Sequence, residues 1–186
     1  MKIGILALQG NFHQHSERLN SLNIENVFVK ESSDLDPCDA LIIPGGESST
    51  ISKLLDRNNL RKSIKSFSKI KSIFGTCAGM VLLSSNKKEK HMIPLSIMNI
   101  QVKRNANGSQ IDSFSDYIDI RLNSIKKYYS YFIRSPKVTG IGENINVLAN
   151  YKSEPVLVSD GKHLASTFHP EITDNIIHKY FLSLIK

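Results

Sequence analysis

Ser72-Ile73-Phe74-Gly75-Thr76-Cys77-Ala78-Gly79-Met80-Val81-Leu82-Leu83 joins two apolar runs through a cysteine that has glycine at i−2 and i+2. This is the spacing of a nucleophile elbow, with sulfur in place of the serine hydroxyl. Glycine on each side lets the chain turn sharply from strand into helix without a Cβ clash. The turn sets the Cys77 thiol at a helix N-terminus, whose dipole favours a thiolate. A lone cysteine more often packs as a small hydrophobe. Paired glycines at a strand-to-helix junction favour the reactive reading.

Outward from this stretch, strand and helix patterns alternate. Ile3 to Leu8 reads as a strand and Phe12 to Leu22 as an amphipathic helix. Val27 to Val29 and Ala40 to Ile43 are further strands, the second bounded by Pro44-Gly45-Gly46. Ser48 to Leu55 and Leu60 to Phe67 carry helical spacing, Ser72 to Phe74 is the fourth strand, and Ala78 to Ser84 its helix. Such alternation predicts an α/β fold with a mostly parallel sheet covered on both faces. Ligands then bind beyond the carboxyl ends of the strands. From residue 97 the pattern changes to short β-type runs: Ile97 to Lys103, Tyr117 to Leu122, Tyr129 to Ile133, Val147 to Ala149, Pro155 to Val158 and His163 to Phe168. These predict strands that extend the sheet, some antiparallel, with one closing helix from Thr173 to Ile185. No repeat or linker divides the chain, so residues 1–186 read as one domain.

The formal net charge is +7. Lys62, Lys65, Lys69 and Lys71 surround one helix and Lys87, Lys88 and Lys90 share a loop, with no interleaved aromatics to stack on bases. A solvated face is expected, not a nucleic-acid site. No apolar run approaches the roughly 20 residues of a membrane span, and the N-terminal apolar run is too short for a signal peptide. A cytoplasmic, thiol-reducing setting is the expectation. Cys38, in Asp36-Pro37-Cys38-Asp39, is a bystander whose neighbouring acids raise its pKa, and neither cysteine has metal-site spacing.

Cys77 needs a base. His13, His15 and His178 fall on helical patterns among polar neighbours, which predicts surface positions, and His91 lies in the lysine-rich loop. His169 differs: it ends the run Leu164-Ala165-Ser166-Thr167-Phe168 and precedes Pro170-Glu171. Proline biases the preceding residue to extended geometry, in which residues i and i+2 share a side. Glu171 then fixes the imidazole through Nδ1, leaving the other nitrogen for the thiol. An oxyanion hole is expected from the Ala78 N–H and from the loop Pro44-Gly45-Gly46-Glu47-Ser48-Ser49. The plain reading of that loop is a strand-to-helix turn capped by Ser48.

Pro44-Gly45-Gly46-Glu47-Ser48, Gly75-Thr76-Cys77-Ala78-Gly79 and His169-Pro170-Glu171, in that order, resemble class I (triad) glutamine amidotransferases. Leu8-Gln9-Gly10, Arg104-Asn105 followed by Gln110-Ile111-Asp112-Ser113-Phe114, and Phe132-Ile133-Arg134-Ser135-Pro136 narrow the likeness to the glutaminase subunits of pyridoxal 5′-phosphate synthase. The resemblance implies a flavodoxin-like three-layer sandwich that hydrolyses L-glutamine to glutamate and ammonia. It implies Cys77 as nucleophile, His169 as base then acid, and Glu171 as orienter. It also implies glutamine contacts from Gly46, Glu47, Ser48, Arg104, Ile133 and Arg134, with Gly46 and Ala78 at the oxyanion hole. Gln9 is expected at the ammonia exit, facing a TIM-barrel synthase subunit in a hetero-oligomer that activates the glutaminase. No metal or cofactor is implied. The chain departs from the family at Ser49 (typically threonine), at Ala106 to Ser109, at Ser135 (commonly alanine) and at Lys137 (frequently histidine). Two other readings share these residues: the glutaminase of another pathway, such as imidazole glycerol phosphate synthase, and a non-catalytic regulatory docking subunit. The intact Cys, His and Glu weigh against the second.

Overall fold

The computed structural model describes residues 1–87, 92–104, 113–122 and 125–186. In chain order the elements are β1 (Lys2–Leu6), α1 (Phe12–Ser21), β2 (Glu25–Val29), β3 (Ala40–Ile43), α2 (Ser48–Arg57), α3 (Leu60–Ser68), β4 (Ser72–Thr76) and α4 (Ala78–Leu83). They continue with β5 (Ile100–Lys103), β6 (Phe114–Leu122), β7 (Ile125–Phe132), β8 (Lys137–Ile141), β9 (Asn146–Tyr151), β10 (Glu154–Ser159), β11 (Leu164–Ser166), α5 (Pro170–Thr173) and α6 (Ile176–Ser183). Lys88, Lys90, His91 and the segment from Asn105 to Asp112 lie outside the described residues.

Among the described residues, nine strands form one sheet in the order β2-β1-β3-β4-β11-β10-β9-β6-β7. The first five are mutually parallel, and β10, β9, β6 and β7 continue antiparallel. The parallel half has the flavodoxin-like doubly wound order. Side chains alternate between its faces with the strand period of two. Leu6, Leu41 and Ile43 join the helices α2, α3 and α4 in one core through Ile51, Leu55, Ile64 and Met80. Ile3, Ile5, Ile42 and Phe74 join α1 and α6 in the other through Leu19, Ile177 and Phe181. Each such fully buried side chain stabilises the fold by about 1.5–3 kcal/mol. Helices on both faces give three layers, as the alternation predicted. No helix among the described residues is long and apolar enough to cross a membrane.

Three expectations are corrected. The residues 97–103 do not extend the main sheet: β5 pairs with β8, which the sequence pattern missed, in a separate two-stranded sheet. The closing helix starts later than expected, as α6 at Ile176, because Asp174 adopts an extended φ of −155°, and the short helix α5 precedes it. The third concerns His15 and His178, expected on the surface and found completely buried. They meet beneath β4, His15 Nδ1 lying 2.9 Å from His178 Nε2, and both rings stand edge-on to Phe74. The lysine-rich helix, in contrast, presents Lys62 and Lys65 to solvent as a hydrated face.

Burial disfavours a charged imidazole. It pushes His178 down to about 3, and lowers His15 despite the attraction of Glu171. Both rings are therefore neutral when folded, whereas the unfolded chain protonates them below pH about 6.5. The stability they contribute is complete above that pH and is lost as the pH falls toward the folded values. Stability from urea unfolding is expected to fall between pH 6.5 and 4.5, each histidine adding up to about 1.4 kcal/mol per pH unit to the slope. His178→Leu should remove one proton's worth of that slope. An unchanged slope in a folded variant would show that His178 is not buried in its neutral form.

Candidate active site

The sharp turn at the end of β4 is carried by Cys77 itself, with φ 48° and ψ −102°. Positive φ is uncommon outside glycine and costs on the order of 1–3 kcal/mol. The flanking glycines avoid Cβ clashes, as their spacing suggests, and neither has a positive φ. A Cβ on Gly79 would stand 2.1 Å from the Ile43 carbonyl oxygen, and one on Gly75 would stand 2.6 Å from the Gly79 carbonyl carbon. They let α4 lie directly against β3 and β4. The Cys77 N–H donates to the Ser166 carbonyl at 2.8 Å, which ties the elbow to β11.

β11 leads to the candidate base. Its sequel bends at His169, whose N–H donates to Tyr131 of β7 at 2.9 Å. His169 then caps α5, with Pro170 at the first helical position. Its Nδ1 lies 2.6 Å from Glu171 Oε1, and its ring and the Cys77 side chain both border Gly45. The pairing of His169 with Glu171 is as expected, but it forms at a helix start and not along an extended segment. Cys77, His169 and Glu171 are 6%, 4% and 1% exposed. Burial opposes the charged imidazole, yet the bonds and charges of Cys77 and Glu171 outweigh it and raise His169 to about 10. Burial likewise opposes the Glu171 carboxylate, and the electrostatic attraction of His15 and His169 with the His169 bond overcomes it, lowering Glu171 to about 2. At neutral pH the arrangement holds a proton between sulfur and carboxylate, ready for delivery.

Helix α1 supports the carboxylate from behind. Asn11 Nδ2 lies 3.4 Å from Glu171 Oε1, and Arg18 Nε donates to the Glu171 carbonyl at 2.8 Å. Sequence reasoning singles out neither residue. Their spacing of roughly two helical turns from a polar start is the available signal.

The glycine loop is brought to the elbow through Gly45. Gly45 packs against the pair: a Cβ there would be 2.4 Å from His169 Cε1 and 3.4 Å from Cys77 Cβ. Gly46 abuts Gln9 and Gly10. Gly10 has φ 103° and admits no side chain, since a Cβ would fall 1.9 Å from the Gly45 oxygen. Gln9 Oε1 accepts the Glu47 N–H at 2.8 Å, so Gln9 and Gly10 buttress the loop. The cap of α2 is Glu47, not Ser48: its carboxylate accepts the N–H groups of Ser49 and Thr50 at 3.1 and 2.6 Å. These bonds hold Glu47 below the usual carboxylate range although burial opposes it. Arg104 reaches the same helix start, donating from Nη1 to Ser49 Oγ at 2.6 Å and to Ser48 Oγ at 3.3 Å.

On the opposite side, the Ile133 carbonyl lies 3.7 Å from Cys77 Sγ and Arg134 has φ 46° with its side chain exposed. Ser135 Oγ donates to the Thr167 carbonyl at 2.6 Å, locking this turn to the strand that leads into His169. Lys137 pairs with Glu154. Cys38 is remote from the site. It donates to the Asp34 carbonyl at 3.1 Å, and its thiol is pushed up to about 11, by burial more than by the acids expected to act. Among the described residues no cluster of three or more His, Cys, Asp or Glu is placed to hold a metal.

The model of the SNO glutamine amidotransferase family matches residues 5–186. A pyridoxal 5′-phosphate synthase subunit PdxT of Francisella philomiragia is 43% identical over 185 residues, covering 99% of each chain. That of Thermotoga petrophila is 39% identical over the whole of both chains. A crystal structure of a glutamine amidotransferase superposes with a TM-score of 0.89 at 38% identity, covering 98% of each chain. A more distant glutamine amidotransferase structure, from Thermotoga maritima, shares the fold at 12% identity and a TM-score of 0.61, covering 98% of this chain and 81% of that one. With its elbow, its base and its full-length match in agreement, this chain belongs to the SNO glutamine amidotransferase family.

Proposed function

We propose that the chain is the glutaminase subunit of a pyridoxal 5′-phosphate synthase, hydrolysing L-glutamine to L-glutamate and ammonia through Cys77, His169 and Glu171. The observation that carries this reading is the buried imidazole of His169, 2.6 Å from Glu171 Oε1 and beside the buried side chain of Cys77 across Gly45. The full-length likeness to PdxT subunits supports the same assignment.

The Cys77 sulfur attacks the side-chain amide carbon of glutamine. His169 gives its proton to the departing nitrogen, and ammonia leaves a glutamyl thioester on Cys77. The same imidazole then takes a proton from water, which attacks the thioester, and returns it to the sulfur as glutamate departs. Glu171 keeps the imidazole oriented and stabilises its charged form. The oxyanion is assigned to the N–H groups of Ala78 and of the glycine loop at Gly46, where each preorganised donor is worth about 3–4 kcal/mol in related sites.

Arg104 is assigned to the substrate α-carboxylate, because a guanidinium binds carboxylates through paired donors. Ser48, Ile133 and Arg134 complete the glutamine pocket. The carboxylate of Glu47 is committed to capping α2, so its contact with glutamine is assigned to the main chain. Gln9, half-buried beside the loop, is assigned to the ammonia exit, where a TIM-barrel synthase subunit docks in a cytoplasmic hetero-oligomer. Residues 1–186 act as one glutaminase unit.

Ammonia release from glutamine, measured with and without the synthase subunit, tests the reading. Cys77→Ala should abolish release while leaving fold and docking intact, and full release by that variant would remove Cys77 from its role. In the same assay Glu171→Gln should lose roughly 10²–10⁴-fold. A loss under fivefold would reduce Glu171 to a structural turn residue.

A further inference from the structure

We propose that His15, held in its Nε2–H tautomer by His178, is a positioning residue that aims the Glu171 carboxylate at His169. The inference rests on the triad reading above and deepens it.

Glu171 presents two oxygens with unequal surroundings. Oε1 receives His169 and Asn11, whereas Oε2 is buried and has no hydrogen-bond partner among the described residues. A buried carboxylate oxygen without a donor is costly. The polar group facing it is His15 Nε2, 3.6 Å away and also 3.3 Å from Thr76 Oγ1. That separation exceeds a full hydrogen bond, yet an N–H aimed at a buried carboxylate remains a favourable charge–dipole contact.

The His15–His178 bond decides which nitrogen of His15 carries its proton. Two arrangements of two neutral rings are possible. If His15 Nδ1 donates to His178 Nε2, the lone pair of His15 Nε2 faces the carboxylate. His178 then carries its one ring proton on Nδ1, which is buried and has no partner among the described residues. A repulsive contact and an orphaned donor result. If His178 Nε2 donates instead, at 2.9 Å, His15 accepts at Nδ1 and presents Nε2–H to Oε2 and Thr76. His178 Nδ1 is then a lone pair against apolar surroundings, the smaller loss. The second arrangement removes both conflicts of the first, the repulsive contact and the orphaned donor.

The charged and titratable groups facing this pair come from each packed element. Glu171 and His169 approach from the segment after β11, His178 from α6, and Arg18 from α1 itself. Arg18 is engaged by the carbonyls of Glu171 and Ile172, so it fixes the backbone of the carboxylate while His15 fixes its side chain.

The test uses the chain in complex with its synthase partner, measuring kcat and KM for glutamine across pH for H15L, H15Q, H178L and E171Q. Loss of one donor to a charged group is expected to lower kcat in H15L by roughly 10–100-fold, with KM within threefold. A less well aimed carboxylate stabilises the His169 imidazolium less, so the alkaline limb of the kcat profile should move to lower pH. H15Q, whose Nε2 sits where the imidazole Nε2 was, should recover most of both. A folded H15L with kcat within twofold of the parent, an unmoved alkaline limb, or an H15Q no better than H15L would each overturn the proposal. If H15L does not fold, H178L carries the test with the same direction and a smaller loss, and parental kcat in H178L would overturn it. Full activity in E171Q would mean that the triad reading itself had failed; E171Q inactive beside a parental H15L would sink this inference alone.

Discussion

A left-handed cysteine at the end of a buried strand constrains everything around it. Cys77 at φ 48° stores strain on the order of 1–3 kcal/mol, and the surrounding contacts hold it there. The Ser166 carbonyl fixes its N–H, and Gly75 and Gly79 let α4 press onto β3 and β4 with no space for a Cβ. The sulfur is thereby placed at the carboxyl edge of the parallel sheet. The connections after β1, β3 and β11 bring Gln9, Gly45 and His169 to the same edge. Ligand sites in open α/β sheets lie at such edges, and here each neighbouring strand contributes one part.

The second constraint is electrostatic. His169, Glu171, His15 and His178 are all less than 5% exposed and adjoin one another. A buried charge is tolerated only when paired. The pair that carries charge is His169 with Glu171, while His15 and His178 stay neutral and supply dipoles. Burial lowers all three histidines, and only His169, bonded directly to a carboxylate, is carried upward against it. Environments that drive like residues apart in this way mark acid–base sites.

The parts of the molecule legible from sequence are those set by local geometry. The elbow, β3 with the boundaries Ala40 and Ile43, and the His169–Glu171 pairing each depend on a few adjacent residues. What is illegible depends on distant packing. His15 and His178 sit among polar neighbours in their own helices, and their burial follows from α1 and α6 converging on Phe74 across 163 residues. The pairing of β5 with β8 hides in the same way, because Pro136 and Gly140 mask the strand character of Lys137–Ile141. The choice between Gly45 and Gly46 is hidden for a similar reason: only the folded loop shows which glycine meets the His169 ring.

The central claim is that the sulfur of Cys77 is the nucleophile and that Cys38, buried with its thiol pushed up to about 11, is not. An electrophilic chloroketone analogue of glutamine, added to the complex and followed by peptide mass mapping, puts the two sulfurs in direct competition. The account predicts one adduct, on the peptide containing Cys77, formed in step with loss of glutaminase activity and suppressed by excess glutamine. Loss of activity with Cys77 unmodified, or with the adduct on Cys38, would contradict it.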